Sequence, residues 1–192
     1  MYKICKTEST TKRQIEVETA LYELLKKKDF EDITVTELCA TVNMPRKTFY
    51  RYFDEKEDVI NSLLDRIVLQ YGSFFNENKN RNYKNELEDF YRFWYDKKEL
   101  LDIICKNRLM INLFECASRF PINDIISVSK YLPDETEWAR KKIFEYTVFA
   151  LLFNVISWYK EGYKSDISDM VDITSRILCG QLFPSLKKDI LP

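Results

Sequence analysis

Val17, Ala20, Leu21, Leu24 and Leu25 recur at the three- and four-residue intervals of one helix face, with polar residues between them, and predict an amphipathic helix. Its start is expected near Thr11, where Thr11 and Gln14 have capping-box spacing. Lys26, Lys27 and Lys28 fall in its last turn, where cations suit the negative end of the helix dipole. A second capping box, Thr34 to Glu37, opens a helix of about two turns, with Ile33 placed to staple onto Leu38. Asn43 follows it. Asn accepts the left-handed backbone more readily than any residue but Gly, which predicts a sharp corner there. Pro45 has a preset φ and no amide hydrogen, so a third helix is predicted from Pro45 to about Phe53. Two short helices joined by a tight turn make a helix-turn-helix.

The acid-rich run 54–58 begins a longer helix whose buried stripe is Val59, Ile60, Leu63, Leu64, Ile67, Val68 and Tyr71. Residues 76–85 are polar and rich in Asn, and read as an exposed loop. Large side chains then dominate, including Phe90, Tyr91, Phe93, Trp94, Tyr95, Leu100, Leu101, Ile104, Met110, Leu113 and Phe114. Two or three helices, broken near Asp96 to Lys98 and stopped before Pro121, account for them. Residues 136–161 form the most apolar helix of the chain, closed by Gly162 as a left-handed cap. A last amphipathic helix is predicted over 165–183 and ends at Pro184. No internal repeat or heptad pattern is evident.

Composition narrows the class. Only 3 Gly and 5 Pro stand among 192 residues, with 45% hydrophobic and 32% charged residues, so an all-α globular fold is expected. The 5 Cys never fall in C-x-x-C spacing, so neither a disulfide framework nor a zinc site is indicated, and free thiols are expected. No window reaches the about 18 apolar residues of a membrane span, and the first residues lack a continuous apolar run, so a cytoplasmic protein with no membrane association is expected. There is no His at all, which removes the commonest general base and metal ligand. An enzyme is not expected, and no cofactor is indicated.

One stretch departs from the near-neutral balance of the chain. Residues 43–53, NMPRKTFYRYF, hold Arg46, Lys47 and Arg51 together with four aromatic rings and no acid, while the formal net charge is -1. On a helix starting at Pro45, Phe49 and Phe53 point inward with Met44, Leu38 and Val42. Arg46, Lys47, Thr48, Tyr50, Arg51 and Tyr52 then lie at or near the outer surface, a set composed entirely of hydrogen-bond donors. A major-groove helix needs this: an acid-free face with donors for phosphates and base edges. Arg46 and Lys47 suit guanine N7 and O6, and the hydroxyls of Thr48, Tyr50 and Tyr52 suit phosphates. The competing reading is an ordinary surface helix with solvated cations, against which stand the capped helix before it and the corner at Asn43.

The run TVTELCATVNMPRKTFYRYFDEKEDVI resembles the DNA-binding region of TetR-type transcriptional regulators, across roughly residues 10–68 and most specifically at TFYRYF followed by Lys56. The resemblance implies an N-terminal three-helix domain over 1–54, and a larger helical effector-binding and dimerisation domain over 55–192, with helix 55–75 as connector. It implies DNA contacts, mostly to phosphates, from Thr36, from residues 46–52 of the recognition helix and from Lys56. Two departures stand out: Asn43 where the family usually has Gly, and Pro45 where it has Ser or Thr, which removes a hydroxyl cap.

The resemblance further implies a homodimer paired through the last two helices, 136–161 and 165–183, on a near-palindromic double-stranded DNA operator. The centre of the 136–161 helix, Tyr146 to Trp158, is apolar nearly all round, which suits either internal core or an interface, and a paired helix needs one face for its own domain and another for a partner. Dimerisation would set two recognition helices about 34 Å apart, on successive major grooves. The rings from Phe90 to Tyr95, with Phe114, suit either a pocket for a small apolar or aromatic effector or plain helical core. Expected, then, is a ligand-responsive repressor. A TetR-like co-activator working through a protein partner without binding DNA is the alternative, kept open by a pI near 5.8 and by the 11 Lys and Arg against 12 Asp and Glu in residues 1–60. A helical enzyme or carrier is a second rival, disfavoured by the missing His and phosphate loop.

Overall fold

The computed structural model describes residues 7–76, 82–119 and 135–178, with side chains for all but 74–76. The described residues hold nine α-helices, one 3-10 turn and no strand: α1 Glu8–Leu25, the 3-10 turn Phe30–Asp32, α2 Val35–Thr41, α3 Arg46–Phe49, α4 Lys56–Asn76, α5 Tyr83–Asp96, α6 Lys98–Lys106, α7 Met110–Ser118, α8 Glu137–Lys160 and α9 Ile167–Leu178. The all-α class, with an N-terminal helix-turn-helix followed by a larger helical body, is thus observed. None of these helices is long and apolar enough to cross a membrane.

The helix starts follow local chemistry, with one shift. α1 begins a turn earlier than Thr11, because Thr7 and Thr10 cap one another: each side-chain hydroxyl accepts from the other's amide, at 3.3 and 3.2 Å. Gln14, released from capping, is buried and donates to Ser62 Oγ at 3.1 Å. Thr34 caps α2 through the Glu37 amide at 3.2 Å, but the Glu37 carboxylate pairs with Lys28 instead of reaching back, so only half of that box forms. Asn82 and Thr136 cap α5 and α8 through the amides of Asn85 and Ala139. The break expected near Asp96 to Lys98 occurs at Lys97, between α5 and α6. The predicted last helix is described only as far as Leu178; residues 179–183 lie outside the described residues.

Three corners share one hydrogen-bond pattern. After α2, Asn43 has φ 47, its N–H bonds Ala40 O at 3.2 Å, and the Met44 N–H bonds Cys39 O at 2.8 Å. After α6, Arg108 has φ 57, with Leu109 N–H on Ile104 O at 2.9 Å. After α8, Gly162 has φ 72, with Tyr163 N–H on Trp158 O at 3.0 Å. Each is a Schellman closure; the residue that follows is buried at Met44 and Leu109 and half-buried at Tyr163, which is itself left-handed at φ 56. The expected corner at Asn43 and the cap at Gly162 are therefore both present.

α1 packs on α4, and its apolar face, Val17, Ala20, Leu21 and Leu25, is covered there and by α2. In the middle of this contact sits Glu18, 1% exposed. Arg66 grips it with two bonds, Nε to Oε2 at 2.7 Å and Nη2 to Oε1 at 2.9 Å, while Ser62 donates to Oε1 and Gln14 to Ser62. α4 continues into the body, where α7 lies along it through Asn112 to Asn61 and Arg119 to Asp65, both at 2.9 Å. α9 covers α5, with a buried bond between the hydroxyls of Tyr91 and Thr174 at 2.6 Å, and α8 closes over α6 and α7. One connected apolar core runs through all of this, from Val17 to Val171.

Removing Arg66 as Arg66→Met strands the Glu18 charge. A stability loss of about 2–3 kcal/mol is expected by urea denaturation, less than the about 3–5 of a fully buried pair, because the Arg66 side chain keeps 30% exposure. The double variant Glu18→Met, Arg66→Met should recover most of the loss, and an equal loss in both would contradict the assignment. At the corner, Asn43→Gly should be tolerated, whereas Asn43→Val should cost about 1–2 kcal/mol in the same measurement.

Candidate nucleic-acid interface

The helix-turn-helix is built around two rings. Phe49 and Phe53 are fully buried with centroids 5.4 Å apart, beside the buried Met44 and Leu38, as the spacing of four predicts. The helix that carries them is shorter than expected. Pro45 is its N-cap, extended at φ -60 and ψ 138, and α3 runs only from Arg46 to Phe49, so it neither starts at Pro45 nor reaches Phe53. Beyond Phe49 the backbone tightens: Arg51 N–H bonds Thr48 O at 3.1 Å and Tyr52 N–H bonds Phe49 O at 2.9 Å. Pro45 offers no side-chain cap, as its chemistry requires.

This geometry divides the expected contact residues. Arg46, Lys47, Tyr50 and Arg51 are exposed together around the recognition turn, and Thr36, at the start of α2, is exposed with them. Arg46 is ordered: its Nη2 donates to the Tyr50 hydroxyl at 3.1 Å, and its guanidinium lies 5.9 Å from that ring. The bond to Tyr50 holds the Arg46 pKa above its ordinary value. Thr48 is half-buried. Tyr52, also half-buried, packs against the core, which places it at the edge of the outer face.

Lys56 stands apart. Its ammonium donates to the carbonyls of Phe30 at 2.8 Å and Glu31 at 3.1 Å, and lies 4.6 Å from the centre of the Phe30 ring. It fastens the start of α4 to the 3-10 turn that leads into α2. Cys39 is buried, and burial pushes its thiol up. Among the described residues no group of His, Cys, Asp and Glu has metal-binding arrangement.

Reading the sequence alone misses the polar residues that hold this unit in place: Gln14, Glu18, Ser62 and Arg66 between α1 and α4, and Asn107 at the end of α6. For Glu18 a signal exists, a carboxylate beside Val17 on the face of Ala20 and Leu21. For Asn107 none does, because its partner, the Phe30 amide, is 77 residues away.

Comparison with known proteins agrees with this architecture. The sequence profile of bacterial regulatory proteins, tetR family, matches residues 19–63. No curated protein sequence matches the chain. Among solved structures, the chain is similar to Lin0861 from Listeria innocua, with TM-score 0.68 and 17% identity over 94% of this chain and 97% of that one. It is similar to Thermus thermophilus FadR, a TetR family transcriptional repressor solved in complex with lauroyl-CoA, with TM-score 0.64 and 16% identity over 87% and 93%. The fatty acid degradation regulator FadR from Bacillus halodurans gives TM-score 0.60 and 15% identity over 92% and 97%. Residues 19–63, which hold the helix-turn-helix, thus match the tetR family profile, and the fold is shared with these solved structures along nearly the whole chain.

Proposed function

We propose that the protein is a sequence-specific DNA-binding transcriptional regulator that acts as a homodimer on a near-palindromic operator, as a repressor released by a small apolar or aromatic effector. The observation that carries the reading is the recognition turn. From Leu38 to Phe53 the chain has no acid, and Arg46, Lys47, Tyr50 and Arg51 stand exposed on a unit whose inner side is fully buried. Arg46, already oriented by Tyr50, is suited to a bidentate guanine contact and Lys47 to a neighbouring base edge; Thr36, Thr48, Tyr50, Arg51 and Tyr52 are suited to phosphates. Lys56 uses two of its three donors on Phe30 and Glu31, so its contribution to DNA binding is chiefly to hold the turn, with one N–H left for a phosphate.

Two apolar stripes support the dimer. On α8, Tyr146, Phe149 and Phe153 stand exposed at helical spacing, Tyr146 at 77% and Phe153 at 62%, and Trp138 continues them toward the helix start. On α9, Ile173 and Ile177 do the same one helix away. Rings left in water on α8, with isoleucines left in water on α9, are suited to a second copy that brings the same two helices, in a closed twofold pairing.

Effector control rests on a cavity of about 40 Å³ between α4, α5, α7 and α8, lined by Val68, Tyr71, Phe90, Trp94, Phe144 and Leu151. Of the rings first considered, Phe90 and Trp94 line it, while Phe114 stacks on Phe149 at 4.7 Å instead. Ligand sites run to at least about 300 Å³, so an effector would have to spread α8 from α4. That movement would reach the DNA-binding unit through α4, as a shift between two spacings.

Selection from a library of random duplexes should enrich paired half-sites about one helical turn apart; no enrichment at any salt concentration would favour the co-activator reading. On the selected duplex, Arg46→Ala and Lys47→Ala should each weaken binding by about 1–3 kcal/mol and relax preference at one position per half-site. Tyr146→Glu with Phe153→Glu should convert the dimer to a folded monomer in sedimentation velocity; a dimer that survives both places the interface elsewhere.

A further inference from the structure

α6 touches the DNA-binding unit at both of its ends. Near its start, Glu99 accepts from the Tyr22 hydroxyl, on the last turn of α1, at 3.0 Å and pairs with Lys26, its C-cap, at 3.4 Å. At its end, Asn107 accepts from the Phe30 amide at 2.6 Å. The two attachments are eight residues apart, about 12 Å along the helix. One attachment would leave a pivot, whereas two at that separation fix an angle.

The attachments are unequal. Glu99 is 62% exposed, and an exposed, water-screened contact contributes little. Asn107 is half-buried and doubly engaged: its Nδ2 donates to Ile103 O at 2.9 Å, which locks the amide to α6, and its Oδ1 faces the turn. The left-handed Arg108 that follows turns the chain away, so Asn107 is the last residue of the α6 end. On the other side, Phe30 N–H is the first amide of the 3-10 turn. Asp29 supplies no side-chain cap, so Asn107 takes the place of one. The carbonyl of the same residue, Phe30, is held by Lys56 of α4. Phe30 is therefore gripped through its N–H by the body and through its C=O by the connector, and α2 and the recognition turn follow directly from it.

We infer that Asn107 is a positioning residue for DNA binding: by capping the Phe30 amide it seats the helix-turn-helix against α6 at the angle its outer face needs. This rests on the reading of the recognition turn as a DNA-binding surface. It adds a second route into that surface, from α6 into the α1–α2 turn, beside the contact of α1 with α4. Without the seat, the 3-10 turn, α2 and the recognition turn shift against the locked α1–α4 pair, and apparent affinity falls to the fraction of protomers still correctly oriented.

The test uses the full-length chain with Asn107→Leu, which removes the acceptor, and Asn107→Asp, which keeps it. Readouts are the exchange rate of the Phe30 amide, affinity for the selected duplex, and Tm. Asn107→Leu should release Phe30 protection while the Leu21 amide stays protected, and weaken binding about tenfold if about a tenth of protomers remain seated. Asn107→Asp should keep Phe30 protection and stay within about threefold in affinity, even though an acid at a helix C-terminus lowers Tm. Equal weakening in both variants, affinity that simply tracks Tm, or Phe30 still protected in Asn107→Leu would each overturn the inference. A wild-type chain that enriches no duplex would defeat the proposed function instead, and the Phe30 exchange rates would still decide whether Asn107 forms the seat.

Discussion

Glu18 is a carboxylate with almost no access to water, and a charge so placed must be paired. Its partner, Arg66, lies near the middle of α4, and a bidentate grip tolerates little rotation or sliding. α1 is thereby locked onto α4 in one register, and much else follows. Leu38, Phe49 and Phe53 fill the remaining space of the N-terminal unit, which sets where α2 and the recognition turn can lie. The same α4 then runs on to meet α7 through Asn61 and Asp65, so one helix is shared by the surface proposed to meet DNA and by the body that would respond to an effector.

The corners show a second constraint. Three helices end in the same left-handed closure, yet only one of the three uses glycine. A non-glycine residue in that conformation carries strain of about 1–2 kcal/mol, and at Asn43 and Arg108 the structure offsets it with two backbone bonds and a buried side chain after the turn. Met44 and Leu109 are both buried, and the Tyr163 ring packs 4.8 Å from Trp158. The corners at Asn43 and Arg108 matter for more than compactness, since one precedes the recognition turn and the other follows the Asn107 seat.

In the proposed regulator, electrostatics alone would give modest affinity. The N-terminal 60 residues hold slightly more acids than bases, and the cations that face outward are few. Specific binding would then depend on presenting two small recognition turns at a defined spacing, which asks more of the scaffold than of the contact residues. The double grip on Phe30, the buried pair at Glu18 and the apolar stripes of α8 and α9 all serve that requirement. An effector that spread α8 from α4 would have only a short path to disturb it.

Whereas the sequence left two or three helices open for the stretch that holds α5, α6 and α7, the order of the described helices, the corner at Asn43, the inward pair Phe49 and Phe53, and the outward cations were legible in the chain. Each depends on neighbours within about one helical turn, and capping, backbone preference and apolar spacing act over that range. The length of α3 was not legible, since local preference alone would have continued the helix to Phe53, whereas the backbone after Phe49 closes in the tighter bonds of Arg51 to Thr48 and Tyr52 to Phe49. The start of α1 was missed although its cause is local: Thr7 and Thr10 form a reciprocal cap one turn before Thr11, and Gln14 is bonded to Ser62 instead of capping. The roles of Lys56, Glu18 and Asn107 were beyond reach, since their partners at Phe30, Arg66 and, again, Phe30 lie 26, 48 and 77 residues away. A hydrogen bond is specified by position in space, and only the tertiary structure brings those groups within 3 Å of one another.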